Sequence, residues 1–217
     1  MINLNLFTSN NRALRVLCIG AHSDDIEIGC GGTMLRLLAD NAAVEVHWLV
    51  LGSAGERDGE ASRSAQDFLR NARQKCIEIE HFRDGFFPYQ GGEIKECFEK
   101  HKSSFSPDVI FTHHRYDLHQ DHRVVSELTW NTFRDHLILE YEIMKYDGDL
   151  GNPNVFVHLD RPTCSTKVAS LLKHFKSQTQ HRWFTEDAFL GLLRLRGIES
   201  NAPGAHAEAF YCRKLVL

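Results

Sequence analysis

Two short stretches concentrate the side chains able to do chemistry. The first is His22-Ser23-Asp24-Asp25, just beyond the apolar run Arg15-Val-Leu-Cys-Ile-Gly20. The second is Thr112-His-His-Arg-Tyr-Asp-Leu-His-Gln-Asp-His-Arg123, which follows Asp108-Val-Ile-Phe and holds four of the chain's 13 histidines. A histidine followed three residues later by a carboxylate can close on one metal ion, which leaves Asp24 beside the metal rather than on it. His119 and His122 lie three apart, on one side of a helical turn. Asp117 and Asp121 can accept a ring proton and fix a tautomer. Together the clusters offer His22, Asp25 and one histidine of the second set. That is a three-donor site rich in N and O, free of thiolate, with a fourth position for water. Catalytic zinc has this pattern, whereas structural zinc sites are closed and cysteine-rich.

Simpler roles exist for each piece. Asp24 or Asp25 alone suits a helix N-cap, and a single histidine in the second stretch suits a solvated helix start. The density of donors beyond two buried strands favours a site. Gly29, Gly31 and Gly32 invite a dinucleotide loop, but that loop places glycines at the turn itself to receive pyrophosphate. Here the turn carries two aspartates, which repel it. The glycines fit a tight loop and close packing of the next helix.

The elements that must position these residues alternate. Arg15–Gly20, Val44–Leu51 and Asp108–Thr112 read as buried strands, with a weaker strand near Glu80–Phe82. Helical spacing is expected from about Gly32, over Ala61–Glu80, near Glu93–Lys102 and over Asp121–Phe133. Gly52–Gly59 reads as a glycine- and charge-rich loop. Beyond it, Leu137–Met144 and Val155–Leu159 are expected strands, Thr166–Lys176 and Thr185–Arg194 helices, and Ala207–Leu217 a closing strand. Strands alternating with helices predict a mostly parallel sheet covered on both faces. Ligands then bind beyond the carboxyl ends of the strands, where both clusters fall.

Composition bounds the rest. A chain of 217 residues, 42% hydrophobic and 25% charged, fits one α/β domain over 1–217. The net charge of −4 gives no electrostatic footprint for nucleic acid. No stretch approaches the length of a membrane span, and the opening residues lack the pattern of a signal peptide. The six cysteines form no CxxC pair and read as reduced, mostly packed thiols. A cytoplasmic enzyme is the expectation, with oligomeric state left open between monomer and homo-oligomer.

Ala21-His-Ser-Asp-Asp-Ile-Glu-Ile-Gly-Cys-Gly-Gly-Thr33 resembles the Ala-His-Pro-Asp-Asp signature of the LmbE-like, or PIG-L, zinc-dependent N-acetylglucosaminyl deacetylases. Leu118-His-Gln-Asp-His-Arg123 resembles their His-Pro-Asp-His signature. Weaker echoes lie at Gly55-Glu56 with Arg63, at Lys176-Ser-Gln178 and at Ala207-Glu-Ala-Phe210. Ser23 and Gln120 replace prolines of the family pattern, and neither position donates a ligand. The resemblance implies a Rossmann-like three-layer α/β fold with a mostly parallel sheet. It implies that His22, Asp25 and His122 bind one Zn2+ and that Asp24 is the general base. It also implies that protonated His119, oriented by Asp121, steadies the oxyanion or acts as acid. The substrate class implied is an N-acetylated amino sugar or glycoconjugate.

Arg63 matches a family arginine expected to contact the sugar or its aglycone. Arg57 is a second candidate, equally suited to a surface salt bridge. Trp48 is expected in the core, as are Trp130 and Trp183 over sugar-stacking roles. The Asp84–Gly92 loop is a candidate pocket wall. Two other readings compete: a binuclear metal phosphoesterase, in which Asp24 or Asp25 bridges two ions, and a catalytically inactive sugar-binding module.

Overall fold

Five strands line up in parallel and two close the sheet antiparallel in the computed structural model, which describes residues 12–216. The segment read above for an export signal lies outside the described residues, as does Leu217. In chain order the strands are β1 (Leu14–His22), β2 (Val44–Gly52), β3 (Gln74–Ile79), β4 (Val109–His113), β5 (Leu137–Tyr141), β6 (Val155–Leu159) and β7 (His206–Cys212). Their order across the sheet is β3-β2-β1-β4-β5-β7-β6. The helices are α1 (Asp25–Asp40), α2 (Glu56–Phe68), α3 (Gly91–Ser104), α4 (Gln120–Thr132), α5 (Arg161–His174) and α6 (Glu186–Glu199). This is the expected α/β architecture.

The central strands are buried on both faces because alternate side chains feed two cores. Val16 and Cys18 of β1 join Val46, Trp48 and Phe68 under α1 and α2. Leu17, Ile19 and Ala21 point the other way, against Ile94, Phe98 and Val125 of α3 and α4. From β1 the chain runs outward to β2 and β3, then returns to β4 on the other side of β1. The order therefore reverses between β1 and β4, and a crevice opens beyond their carboxyl ends. His22 ends β1 and His113 ends β4.

Two elements differ from expectation. Helix α1 starts at Asp25, not near Gly32, so the glycines lie inside it rather than in a loop. A Cβ on Gly29 would sit 2.2 Å from Tyr141 Cδ2, and one on Gly32 would sit 2.5 Å from Leu159 Cδ1. The close packing expected of these glycines is what they supply, within the helix rather than in a tight loop before it. The expected Ala61–Glu80 helix stops at Phe68, and its second half becomes β3, paired in parallel with β2. Strand β3 edges the sheet, and its half-exposed residues carry too weak a hydrophobic period to reveal it. Helix α2 also begins earlier than expected, at Glu56, after Gly55 takes a φ of 63° that a side chain would resist.

The second half of the chain holds α1 in place. Glu208 of β7 accepts the backbone N–H of Gly32 at 2.7 Å and of Thr33 at 2.6 Å. Lys167 of α5 pairs with that carboxylate and donates to the Ile28 carbonyl at 2.6 Å. Tyr141 donates to the Ile19 carbonyl of β1 at 2.6 Å. All three side chains are buried. Among the described residues, no helix is long and apolar enough to cross a membrane. The six cysteines are free, four of them buried.

Candidate active site

The strand ends bring the two clusters face to face. His22 Nδ1 lies 3.4 Å from Asp25 Oδ2 and 3.3 Å from His122 Nε2, and His122 Nε2 lies 3.5 Å from Asp25 Oδ1. Bonds of 2.0–2.2 Å in a tetrahedral zinc site require donor separations of about 3.3–3.6 Å. His22 Nδ1 and His122 Nε2 stand at such a separation, and each has one of the two Asp25 oxygens within 3.5 Å. Asp25 owes its position to the first turn of α1, where Oδ2 accepts the His22 backbone N–H at 2.6 Å. His122 presents Nε2 because Asp117 takes its Nδ1 proton at 2.9 Å, the usual way to fix a ligand's tautomer. Lys145 braces Asp117 at 3.0 Å.

Electrostatics agrees with a cation here. Burial, followed by the charge of His113, pushes His122 down to about 3, so its ring is neutral, with Nε2 turned to His22 Nδ1. Burial opposes the Asp25 carboxylate, yet His122, His113 and His22 hold it well below the usual range. Burial would lower His22, but Asp121, Asp25 and Asp84 raise it well above 6.5. A bound metal displaces that proton.

Asp24 sits apart from this triangle. It occupies the N-cap position of α1, but its side chain makes no capping bond. Instead Arg57 Nη2 donates to its Oδ1 at 3.2 Å. Burial and the neighbouring Asp25 raise Asp24 to about 6, with Arg57 pulling the other way. Arg57 also stands 3.6 Å from Asp84, so its fixed charge lies where a second, bridged metal would need Asp24. Arg63 is exposed and folds back over Gly59 of its own helix.

His119 and Asp121 adopt a different relation from the expected one. The Asp121 backbone N–H donates to His119 Nδ1 at 3.2 Å. Its carboxylate turns away, accepting N–H bonds from Gly85 at 2.6 Å and Phe87 at 3.2 Å and facing His22 Nε2 at 3.3 Å. Asp121 thus orients His22 and the 85–87 backbone through its side chain, and His119 only through its main chain. Burial and the charge of His22 lower His119, opposing the protonated form expected for it. With Nδ1 accepting, the neutral ring carries its proton on Nε2 and remains a donor.

The sequence reading did not name Asp84 as a site residue, and it left His113 as one of four histidines of its cluster without a role of its own. Asp84, on the loop after β3, places Oδ1 3.1 Å from His22 Nε2. That loop was singled out for its aromatics, of which Phe87 is buried and Phe86 and Tyr89 are exposed. His113 is fully buried, stacked on His122 at 3.9 Å between ring centroids, with Nε2 3.2 Å from Asp25 Oδ2. Its Nε2 accepts the Ala21 N–H at 3.0 Å, which occupies the lone pair a metal would need. Its place as the last residue of β4, the counterpart of His22 on β1, was the available signal. Trp48 is fully buried, Trp183 packs partly buried against the core, and Trp130 donates to Glu140 at 2.6 Å.

Glu27, in the first turn of α1, is fully buried. Burial, with added repulsion from Asp24 and Asp25 and partial relief from Ser64, pushes it up to about 8. The unfolded chain releases this proton near 4.5 and the folded chain near 8. Its stabilising share is therefore complete below about 4.5 and declines as pH rises toward 8, by at most about 1.4 kcal/mol per pH unit. In the metal-free protein, Glu27→Gln should flatten the fall in stability between pH 5 and pH 8. It should also leave the variant the more stable of the two at pH 8. Urea midpoints at the two pH values check this, and parallel pH profiles for variant and wild type would refute it.

A crevice at the switch point of a mostly parallel sheet, with His22, Asp25 and His122 gathered beside a separate buried carboxylate, belongs to an α/β protein of the LmbE-like fold. The chain belongs to the PIG-L family: the family model for GlcNAc-PI de-N-acetylase matches residues 17–133. It is 31% identical over 179 residues to the uncharacterized deacetylase YaiS of Escherichia coli K12, covering 78% of this chain and 95% of that protein. Its fold is shared by N,N'-diacetylchitobiose deacetylase of Pyrococcus horikoshii, with a TM-score of 0.67, 19% identity and coverage of 92% and 84% of the two chains. The fold is also that of GalB, a 4-carboxy-2-hydroxymuconate hydratase of Pseudomonas putida KT2440, with a TM-score of 0.75, 13% identity and coverage of 94% and 98%. Fold alone thus leaves the reaction open, and the site must decide it.

Proposed function

We propose that this protein removes the acetyl group from the nitrogen of an N-acetylated amino sugar, or a conjugate of one, by zinc-dependent hydrolysis. The observation that carries the reading is the placement of Asp24. It is a buried carboxylate next in sequence to the donor Asp25, held by Arg57 and outside the donor triangle. Membership of a deacetylase family and the amino-sugar deacetylase among the fold's relatives support the same substrate class.

His22, Asp25 and His122 hold the ion in this reading. Bound zinc supplies Lewis-acid polarisation and makes water acidic enough to lose a proton near neutral pH. Asp24 takes that proton as the water oxygen attacks the acetamide carbonyl. Its pKa near 6 suits a base working close to neutrality, and the charge of Arg57 keeps it ionised. His119 donates its Nε2 proton as a hydrogen bond to the oxygen that becomes negative. Asp24 then returns its proton to the leaving nitrogen, so the products are acetate and the free amino sugar. Arg57, between Asp24 and Asp84, is the substrate-side cation of the crevice.

Acetate release from a panel of N-acetylglucosamine conjugates tests the reading. The zinc-loaded protein should release acetate from at least one member, and chelation should abolish release until zinc is restored. One tightly bound zinc in the crevice with no release from any conjugate would overturn it.

A further inference from the structure

A second group of metal-type donors lies outside the crevice, on the α3 side of the sheet's β3 edge. His47 of β2, Glu78 of β3 and His101 of α3 each offer an atom within 4.8 Å of the other two. The parallel register that pairs Leu49 with Glu78 puts His47 and Glu78 on one face of adjacent strands, and α3 lays His101 over them. Both histidines are buried, whereas the Glu78 side chain is 31% exposed and opens the group to solvent.

An ordinary structural role accounts for only part of this arrangement. His47 Nε2 and Glu78 Oε1 share a hydrogen bond of 2.7 Å, which satisfies that pair. It leaves His101 unexplained. His101 Nε2 is buried with no hydrogen-bond partner. Its Nδ1 stands 3.6 Å from Glu78 Oε1, beyond a hydrogen bond. An imidazole in the interior normally spends both nitrogens on partners. The ring also faces a second trio, for Glu80 and Cys97 offer donors within 4.8 Å of it. His101 therefore has a carboxylate within donor range in either set, with an imidazole in one and a thiol in the other.

We propose that His47, Glu78 and His101 form a second divalent-metal site, distinct from the crevice, that takes a borderline ion such as Zn2+ or Co2+. Two imidazoles and one carboxylate suit such ions better than Mg2+ or Ca2+, which want oxygen shells. The remaining coordination positions fall to water, reached through the exposed side of Glu78. Binding replaces the His47 Nε2–Glu78 Oε1 hydrogen bond, and Lys100 Nζ lies 4.0 Å from Glu78 Oε2 at the solvent side of the group. The site joins β3 to α3. Those two elements bracket the 80–90 segment that brings Asp84 to His22 and the Gly85 and Phe87 N–H groups to Asp121. An ion here fixes both ends of that segment.

The test is a Co2+ titration of metal-free protein, counting bound ions per chain and following the visible absorption. Wild type should bind two. A variant emptied at the crevice by His22→Ala and His122→Ala should bind one. His47→Gln combined with His101→Gln should also bind one, with the absorption of the crevice ion alone. In the crevice-emptied variant, saturating Zn2+ should raise the melting midpoint by about 5 °C or more. That shift should vanish when all four substitutions are combined. One ion in wild type and none in the crevice-emptied variant, or a midpoint there indifferent to Zn2+, would overturn the proposal. That count needs no change at the new site, so it stands even where the His47/His101 variant fails to fold. It is also independent of acetate release.

Discussion

Asp24→Asn should leave zinc in the crevice and lower turnover by about 10³- to 10⁴-fold, the upper range for loss of a general base. The substitution keeps the shape and the Arg57 contact's oxygen but removes the site that accepts a proton. His22, Asp25 and His122 are untouched, so metal content per chain should match wild type. Metal analysis beside acetate release separates these effects. An Asp24→Asn protein that lost its zinc would make Asp24 a ligand. One that kept its zinc and its rate would mean that another group takes the proton, and Asp84 is the carboxylate then closest to His22.

His122→Ala should have the opposite signature. One corner of the donor triangle disappears, the remaining His22 and Asp25 cannot close around the ion, and zinc should leave together with activity. His113 stacks on His122 but its Nε2 is engaged by the Ala21 N–H, so it does not substitute. Asp117→Asn provides a graded version. With the His122 tautomer no longer fixed by a carboxylate, zinc affinity should weaken by about 10- to 100-fold. Competition with a chelator of known affinity measures both. Full zinc occupancy in His122→Ala would remove this residue from the donor set.

Much of this arrangement was legible in the sequence because it depends on short-range order. His22, Asp24 and Asp25 are fixed relative to one another by one strand end and one helix start, and His119, Asp121 and His122 by one helical turn. The central strands were legible for a related reason: they are buried on both faces and appear as continuous apolar runs. What stayed hidden depends on contacts between distant segments. Edge strand β3 takes its form from pairing with β2 rather than from its own pattern. Asp84 comes to His22 because Asp121 holds the loop backbone from across the crevice. The direction of the Asp121 carboxylate, toward His22 rather than His119, follows from that same loop. The glycines of α1 looked like a loop because the reason for them, the Tyr141 ring and the Leu159 side chain, lies over a hundred residues further along the chain.

The buried pair of Lys167 and Glu208 sets a limit on how this chain can be divided. Every donor of the crevice lies before residue 123, within the stretch matched by the family model, so a fragment ending at residue 133 carries the whole chemical inventory. It lacks the carboxylate that receives the Gly32 and Thr33 N–H groups, and it lacks the ammonium on the Ile28 carbonyl. The helix whose first residue is Asp25 would be anchored at its site end and loose two turns later. The candidate site thus lies in the earlier part of the chain, while part of the support for its helix comes from the later part. β7 and α5 are structural parts of the same unit as α1, although they lie more than a hundred residues further along the chain.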